Sequence, residues 1–77
     1  MTADRQLDAR GLKCPLPVLK ARKAMKALAQ GETLEVLASD PSAPQDFRSF
    51  CDTTGYLLRE SSEADGLYRF LLEKSGA

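Results

Sequence analysis

Cys14 stands in the run Gly11-Leu12-Lys13-Cys14-Pro15-Leu16-Pro17, where residue types and spacing together point to chemistry. Two prolines bracketing one residue would break a helix interior. The first helical turn tolerates them, because its N–H groups have no intrahelical partner. The spacing therefore predicts a helix with Cys14 as N-cap, Pro15 at the first position and Pro17 at the third. Leu16 and Val18 would keep N–H groups that can point back at the sulfur, beside the positive end of the helix dipole. Such a place favours thiolate over thiol, and cysteines there titrate at roughly 3.5–7.5 in place of about 8.5. Gly11 permits the sharp turn that would hold the sulfur outward. A plainer account stands beside this one: a small buried cysteine, next to prolines that merely start a helix.

The rest of the composition limits what such a thiol can do. There is no histidine, so no Cys–His pair can serve acyl or peptide hydrolysis. Cys51 lies 37 positions beyond Cys14, outside a Cys-X-X-Cys dithiol and outside the usual zinc spacings. No metal and no cofactor are expected. What remains is to accept a group, hold it covalently and give it away. Sulfane sulfur suits this: a thiolate attacks the outer sulfur of a donor persulfide, becomes Cys–S–SH, and an acceptor then takes that sulfur.

The 77 residues predict one small domain, 1–77, near the size at which folding buries only about 60% of the unfolded surface. Eleven basic and eleven acidic residues cancel, so no global field draws the chain to nucleic acid or lipid. The charges are unevenly spread. Residues 9–31 hold six bases (Arg10, Lys13, Lys20, Arg22, Lys23, Lys26) and no acid, whereas residues 32–77 hold nine acids against four bases. No apolar run suggests a signal peptide or a membrane span, and a cytosolic protein with reduced thiols is expected. A structural Cys14–Cys51 disulfide is not.

The elements that must position Cys14 follow from periodicity. Met1 to Arg5 is a polar lead-in expected to fray, and Gln6 to Ala9 a short strand. Pro15 to Ala29 is the first helix, with Val18, Ala21, Met25 and Leu28 on one face, Ala24 alongside, and Gly31 as its stop. Thr33 to Ala38 alternates as a strand. Ser39-Asp40-Pro41-Ser42 is a turn in which Asp40 caps a helix over Pro44 to Thr53, with Phe47, Phe50, Cys51 and Thr54 facing inward. Cys51 on that stripe is expected to be packing. Two strands follow, Tyr56 to Ser61 and Leu67 to Glu73, joined across Asp65-Gly66. The order β-α-β-α-β-β with right-handed crossovers predicts a two-layer α/β sandwich: a four-stranded mixed sheet with both helices on one face. Cys14 then sits at the carboxyl end of the first strand, where α/β folds commonly keep their sites.

The residues Leu7-Asp8-Ala9-Arg10-Gly11-Leu12-Lys13-Cys14-Pro15-Leu16-Pro17 resemble the signature of the TusA-type (SirA-like) sulfur-carrier family: a strand ending in Leu-Asp, a Gly three residues before the Cys, then Cys-Pro-X-Pro. The resemblance continues through Val18, Arg22, Lys23, Gly31-Glu32-Thr33-Leu34, Asp40-Pro41 and Asp65-Gly66, from about Gln6 to Lys74. It implies the same fold, and a sulfurtransferase without independent turnover whose persulfide site is Cys14, supported by Gly11, Pro15, Pro17 and Arg22. Arg22 is equally well read as part of a solvated basic face. The resemblance also implies partners: a cysteine desulfurase or rhodanese-like sulfur donor, and a downstream relay protein of tRNA 2-thiolation, molybdenum cofactor assembly or sulfur oxidation. Arg10, Lys13, Lys20 and Lys23 would form the docking rim; as solubilising charge they serve as well. Leu16 stands where tRNA-thiolation members carry an acidic residue, so it bears on partner choice. Asp8 is expected to hold the loop by accepting backbone N–H bonds. A monomer with no direct nucleic-acid or membrane contact is expected. The alternative is a non-catalytic module, with Cys14 a spectator and the basic first helix binding a protein or RNA, by analogy with the similar fold of a translation initiation factor's C-terminal domain.

Overall fold

A computed structural model describes residues 4–75, which form β1 (Arg5–Ala9), α1 (Leu16–Lys26), β2 (Thr33–Ala38), α2 (Ala43–Thr54), β3 (Leu57–Ala64) and β4 (Leu67–Glu73). The four strands make one sheet in the order β1-β2-β4-β3, with β1 parallel to β2 and both β4 pairings antiparallel. Both helices cover the same face, so the expected two-layer α/β sandwich is the observed one. Alternation sets which side chains meet them. Leu34, Val36 and Ala38 on β2 are buried, and Val36 and Leu34 stand opposite Phe70 and Leu72 of β4. On α1 the buried residues are Pro17, Ala21 and Met25, followed by Leu28 past the helix end; on α2 they are Ala43, Phe47, Phe50 and Cys51. Phe47 stacks on Phe70 with ring centroids 4.6 Å apart, fixing α2 over the sheet centre.

The open face of the sheet is held by charge. Arg69 donates to Glu35 of β2 and, at 2.7 Å, to Glu60 of β3, while Gln6 of β1 donates to Glu35 at 2.7 Å. One carboxylate thus bridges three strands. Arg59 bulges out of β3 between Leu58 and Glu60. Asp65 and Gly66, both at positive φ (53° and 79°), close the β3–β4 hairpin as the sequence predicts.

Several element ends differ from expectation; α2, for one, runs a residue further at each end and β3 starts one residue later, at Leu57. Arg5 does not fray: it opens β1 opposite Leu34, and Thr33 N–H donates to the Asp4 carboxylate at 2.9 Å. The rest of that expected lead-in, residues 1–3, lies outside the described residues. Helix α1 stops at Lys26, three residues early. Ala27 and Leu28 N–H groups there bond to the Ala24 and Met25 carbonyls at 3.1 Å, a tighter turn that swings Leu28 into the core. Gly31 is therefore not the helix stop. Its N–H donates to the Lys74 carbonyl at 2.8 Å and starts β2. Finally, β3 runs on to Ala64, because the tight Asp65-Gly66 turn lets pairing continue to the hairpin tip.

Phe47→Ala should cost about 3–5 kcal/mol, since it removes a fully buried ring and leaves a cavity against Phe70. Small domains have only about 5–15 kcal/mol in total. Urea unfolding should show the midpoint falling by a large part of its wild-type value with the slope unchanged.

Candidate functional site

Parallel pairing brings the site together. Ala9 stands opposite Ala38 at the last register position of β1 and β2, so the loops leaving both strands emerge at the same edge. The first loop turns at Gly11, whose φ of 81° is a left-handed conformation that a side chain would strain. Its N–H donates to Ser39 Oγ of the second loop at 2.8 Å. Asp8 accepts Arg10 N–H at 3.1 Å and the Arg10 guanidinium at 2.8 and 2.9 Å, which holds its carboxyl down at about 2. Asp8 does brace the loop as expected, and in doing so it occupies the Arg10 head.

The start of α1 departs from expectation. The helix begins at Leu16 with Pro15 as N-cap, so Cys14 lies one residue before the cap and Pro17 at the second helical position. Leu16 N–H, expected near the sulfur, donates to the Lys13 carbonyl at 2.8 Å. What holds Cys14 is a carboxylate: its backbone N–H donates to Asp40 Oδ2, while Asp40 Oδ1 accepts Ser42 N–H at 3.0 Å. Asp40 is thus more than the helix cap expected of it. It spans from the turn before α2 to the Cys14 loop, and Ser42 takes the N-cap place.

The thiol itself is exposed, which removes the buried-cysteine account of Cys14. Its electrostatics reverse the expectation of a thiolate. The Asp46 carboxylate beside the thiol, then partial desolvation of the sulfur, then the Asp40 charge push the Cys14 pKa above its ordinary value. Two acids act on the sulfur, while the Leu16 amide expected to favour the thiolate is spent on the Lys13 carbonyl. Cys51, by contrast, is buried in the core, and burial with the nearby Asp52 charge raises it to about 11.

Beside Cys14 a cleft of about 310 Å³ runs between α1 and α2, walled by Pro15, Val18 and Arg22 on one side and Asp46 and Phe50 on the other. Arg22 is exposed and shares this cleft with Cys14. Lys13, Lys20 and Lys23 are exposed and make no ion pair among the described residues. Lys20 and Lys23 flank Leu16 and Leu19, which are 45% and 50% exposed on the outer face of α1. Among the described residues no three His, Cys, Asp or Glu side chains cluster as metal ligands, and no helix is long and apolar enough to cross a membrane. Sequence reasoning missed Asp46 and Leu19. Nothing local signals Asp46, because its meeting with Cys14 spans two elements and the turn between them. Leu19 was visible as an apolar residue off the buried stripe.

Alkylation should separate the two cysteines. Native Cys14 reacts and Cys51 reacts only on unfolding. A raised pKa leaves less thiolate at neutral pH, so Cys14 should alkylate more slowly than a free cysteine there, with its rate midpoint shifted alkaline. Asp40→Asn should move that midpoint back down. A midpoint below that of free cysteine would contradict the geometry.

Comparison with known proteins agrees with the fold and the motif. Residues 5–74 match the family described as Sulfurtransferase TusA. The chain is similar to the sulfur carrier protein TusA of Allochromatium vinosum, 47% identical over 72 residues that cover 94% of this chain and 95% of that one. The crystal structure of a SirA-like protein from Desulfitobacterium hafniense superposes with a TM-score of 0.82 at 28% identity, covering 94% of this chain and 99% of that one. With its Cys-Pro-X-Pro turn at the edge of a β-α-β-α-β-β sandwich, this chain belongs to the TusA family of sulfur carriers.

Proposed function

We propose that the chain accepts sulfane sulfur on Cys14 as a persulfide and delivers it to an acceptor protein, acting as a monomeric cytosolic carrier. The observation that supports this most is the exposed Sγ at the mouth of the α1–α2 cleft, in a TusA-family chain that has no histidine to make it a hydrolase. In the loading step Cys14 sulfur attacks the outer sulfur of a donor persulfide. A new S–S bond forms, the donor's S–S bond breaks, and the Cys14 proton ends on the donor's departing sulfur. Delivery is the same exchange in reverse toward the acceptor. The donor is a cysteine desulfurase or rhodanese-like protein. Arg22 lines the cleft with a cation suited to the anionic outer sulfur. Gly11, Pro15 and Pro17 serve by shaping the turn that presents Cys14.

Docking falls to the outer face of α1. Leu16 and Leu19 offer apolar area, and Lys13, Lys20 and Lys23 offer unpaired cations around it, which suits a partner whose apolar contact is ringed by acids. Arg10 contributes least, since Asp8 already binds its guanidinium.

Incubation with a cysteine desulfurase and cysteine should add one reductant-labile sulfur atom to the intact mass. Cys14→Ser should abolish the gain and Cys51→Ser should keep it; the opposite pattern, or a salt-sensitive RNA complex without loading, would favour the interaction module. A charge-reversed docking face, Lys20→Glu with Lys23→Glu, should slow transfer from the desulfurase at least about tenfold, mostly at low salt, because steering by exposed charge is screened. Thermal stability should stay within about 0.5 kcal/mol, as these side chains are solvated.

A further inference from the structure

Two carboxylates stand where a mere sulfur acceptor would need none. Asp46 reaches the cleft from the first turn of α2 and lines it together with Cys14, its carboxylate close enough to disfavour negative charge on the sulfur. Asp40 lies behind it in the preceding turn, holding the Cys14 backbone N–H. The cations that face this pair are Lys13, on the Cys14 loop near Asp40, and Arg22, on the α1 wall of the cleft. Neither makes an ion pair with Asp46 among the described residues.

The two states of the carrier differ in charge. An unloaded Cys14 is a neutral thiol at pH 7 and can donate its proton to Asp46. A persulfide is more acidic than a thiol, so the loaded form carries an anion in the same place and has no proton to give. Loading written with its atoms is Cys14–S–H + R–S–S⁻ → Cys14–S–S⁻ + R–S–H: one S–S bond forms, one breaks, the proton moves to R–S, and no net oxidation occurs. The forward direction replaces a hydrogen bond to a carboxylate with repulsion from it.

Taking Cys14 as the persulfide site proposed above, we infer that Asp46 is the residue that makes the carrier release sulfur. Its carboxylate stabilises the empty thiol and opposes the persulfide anion, shifting the transfer equilibrium toward the acceptor. Asp46 lines the cleft beside the reacting sulfur but takes no covalent part. Its counterpart across the cleft, Arg22, pulls the other way, and the balance of the two sets how firmly sulfur is held.

The test is an exchange equilibrium with a small donor, which removes partner docking from the measurement. The full chain is equilibrated with glutathione persulfide and glutathione, and the loaded-to-empty ratio is read by intact mass. At neutral pH Asp46→Asn should raise that ratio roughly tenfold, the scale of one hydrogen bond to a charged group together with one exposed charge pair. Asp46→Glu should keep the wild-type value. Lowering the pH protonates the persulfide and so removes its repulsion from Asp46, and the wild-type ratio should climb toward that of the Asn variant. That pH profile needs no variant, and a merely structural role would not produce it. An unchanged ratio in Asp46→Asn, or a wild-type ratio flat with pH, would overturn the assignment. Sulfur gained by Cys14→Ser would instead sink the site on which it rests.

Discussion

The site depends on one constraint, the in-register parallel pairing of β1 with β2. Because both strands point the same way and end together at Ala9 and Ala38, two loops far apart in sequence leave the sheet side by side. Gly11 can then reach Ser39, and Asp40 can reach the Cys14 amide. Antiparallel pairing would have put those loops at opposite edges. The burial of Ala9, Val36 and Ala38 beneath the helices fixes this register, since a slip of one residue would turn the apolar row outward.

The second theme is a conflict of charge resolved by distance. The N-terminal half of the chain is basic and the remainder acidic, and the fold brings the two halves together at Cys14. The lysines point outward from α1, while Asp40 and Asp46 approach the thiol from the α2 side. Proximity decides the outcome. The nearby carboxylates govern the sulfur, whereas cations further off govern what can approach it. A neutral overall charge thus conceals a polarised site.

Most of the fold was legible because its signals are local. Alternation gave β2 and β4 to the residue, Asp65-Gly66 gave the hairpin, and the apolar stripe of α2 gave the core positions of Phe47, Phe50 and Cys51. The helix ends were less legible. Lys26 ends α1 early because Leu28 is needed in the core and Lys74 Nζ takes up the Leu28 carbonyl at 2.8 Å, a contact across the fold that no window of sequence contains. The site was half legible. Cys14 and Arg22 were marked by motif and resemblance. The thiol's raised pKa was not, because Asp40 and Asp46 come from elsewhere in the chain, and the Leu16 amide expected to favour the thiolate is taken by the Lys13 carbonyl.

Lys74 closes the opposite end of the molecule. Its backbone N–H donates to the Glu32 carbonyl at 2.9 Å, its carbonyl accepts from Gly31, and its ammonium covers the end of α1. The chain therefore departs from the sheet at the pole farthest along α1 from Cys14. A tether, dye or solid support joined at that pole leaves the thiol facing open solution, so immobilised carrier remains geometrically free to meet protein partners.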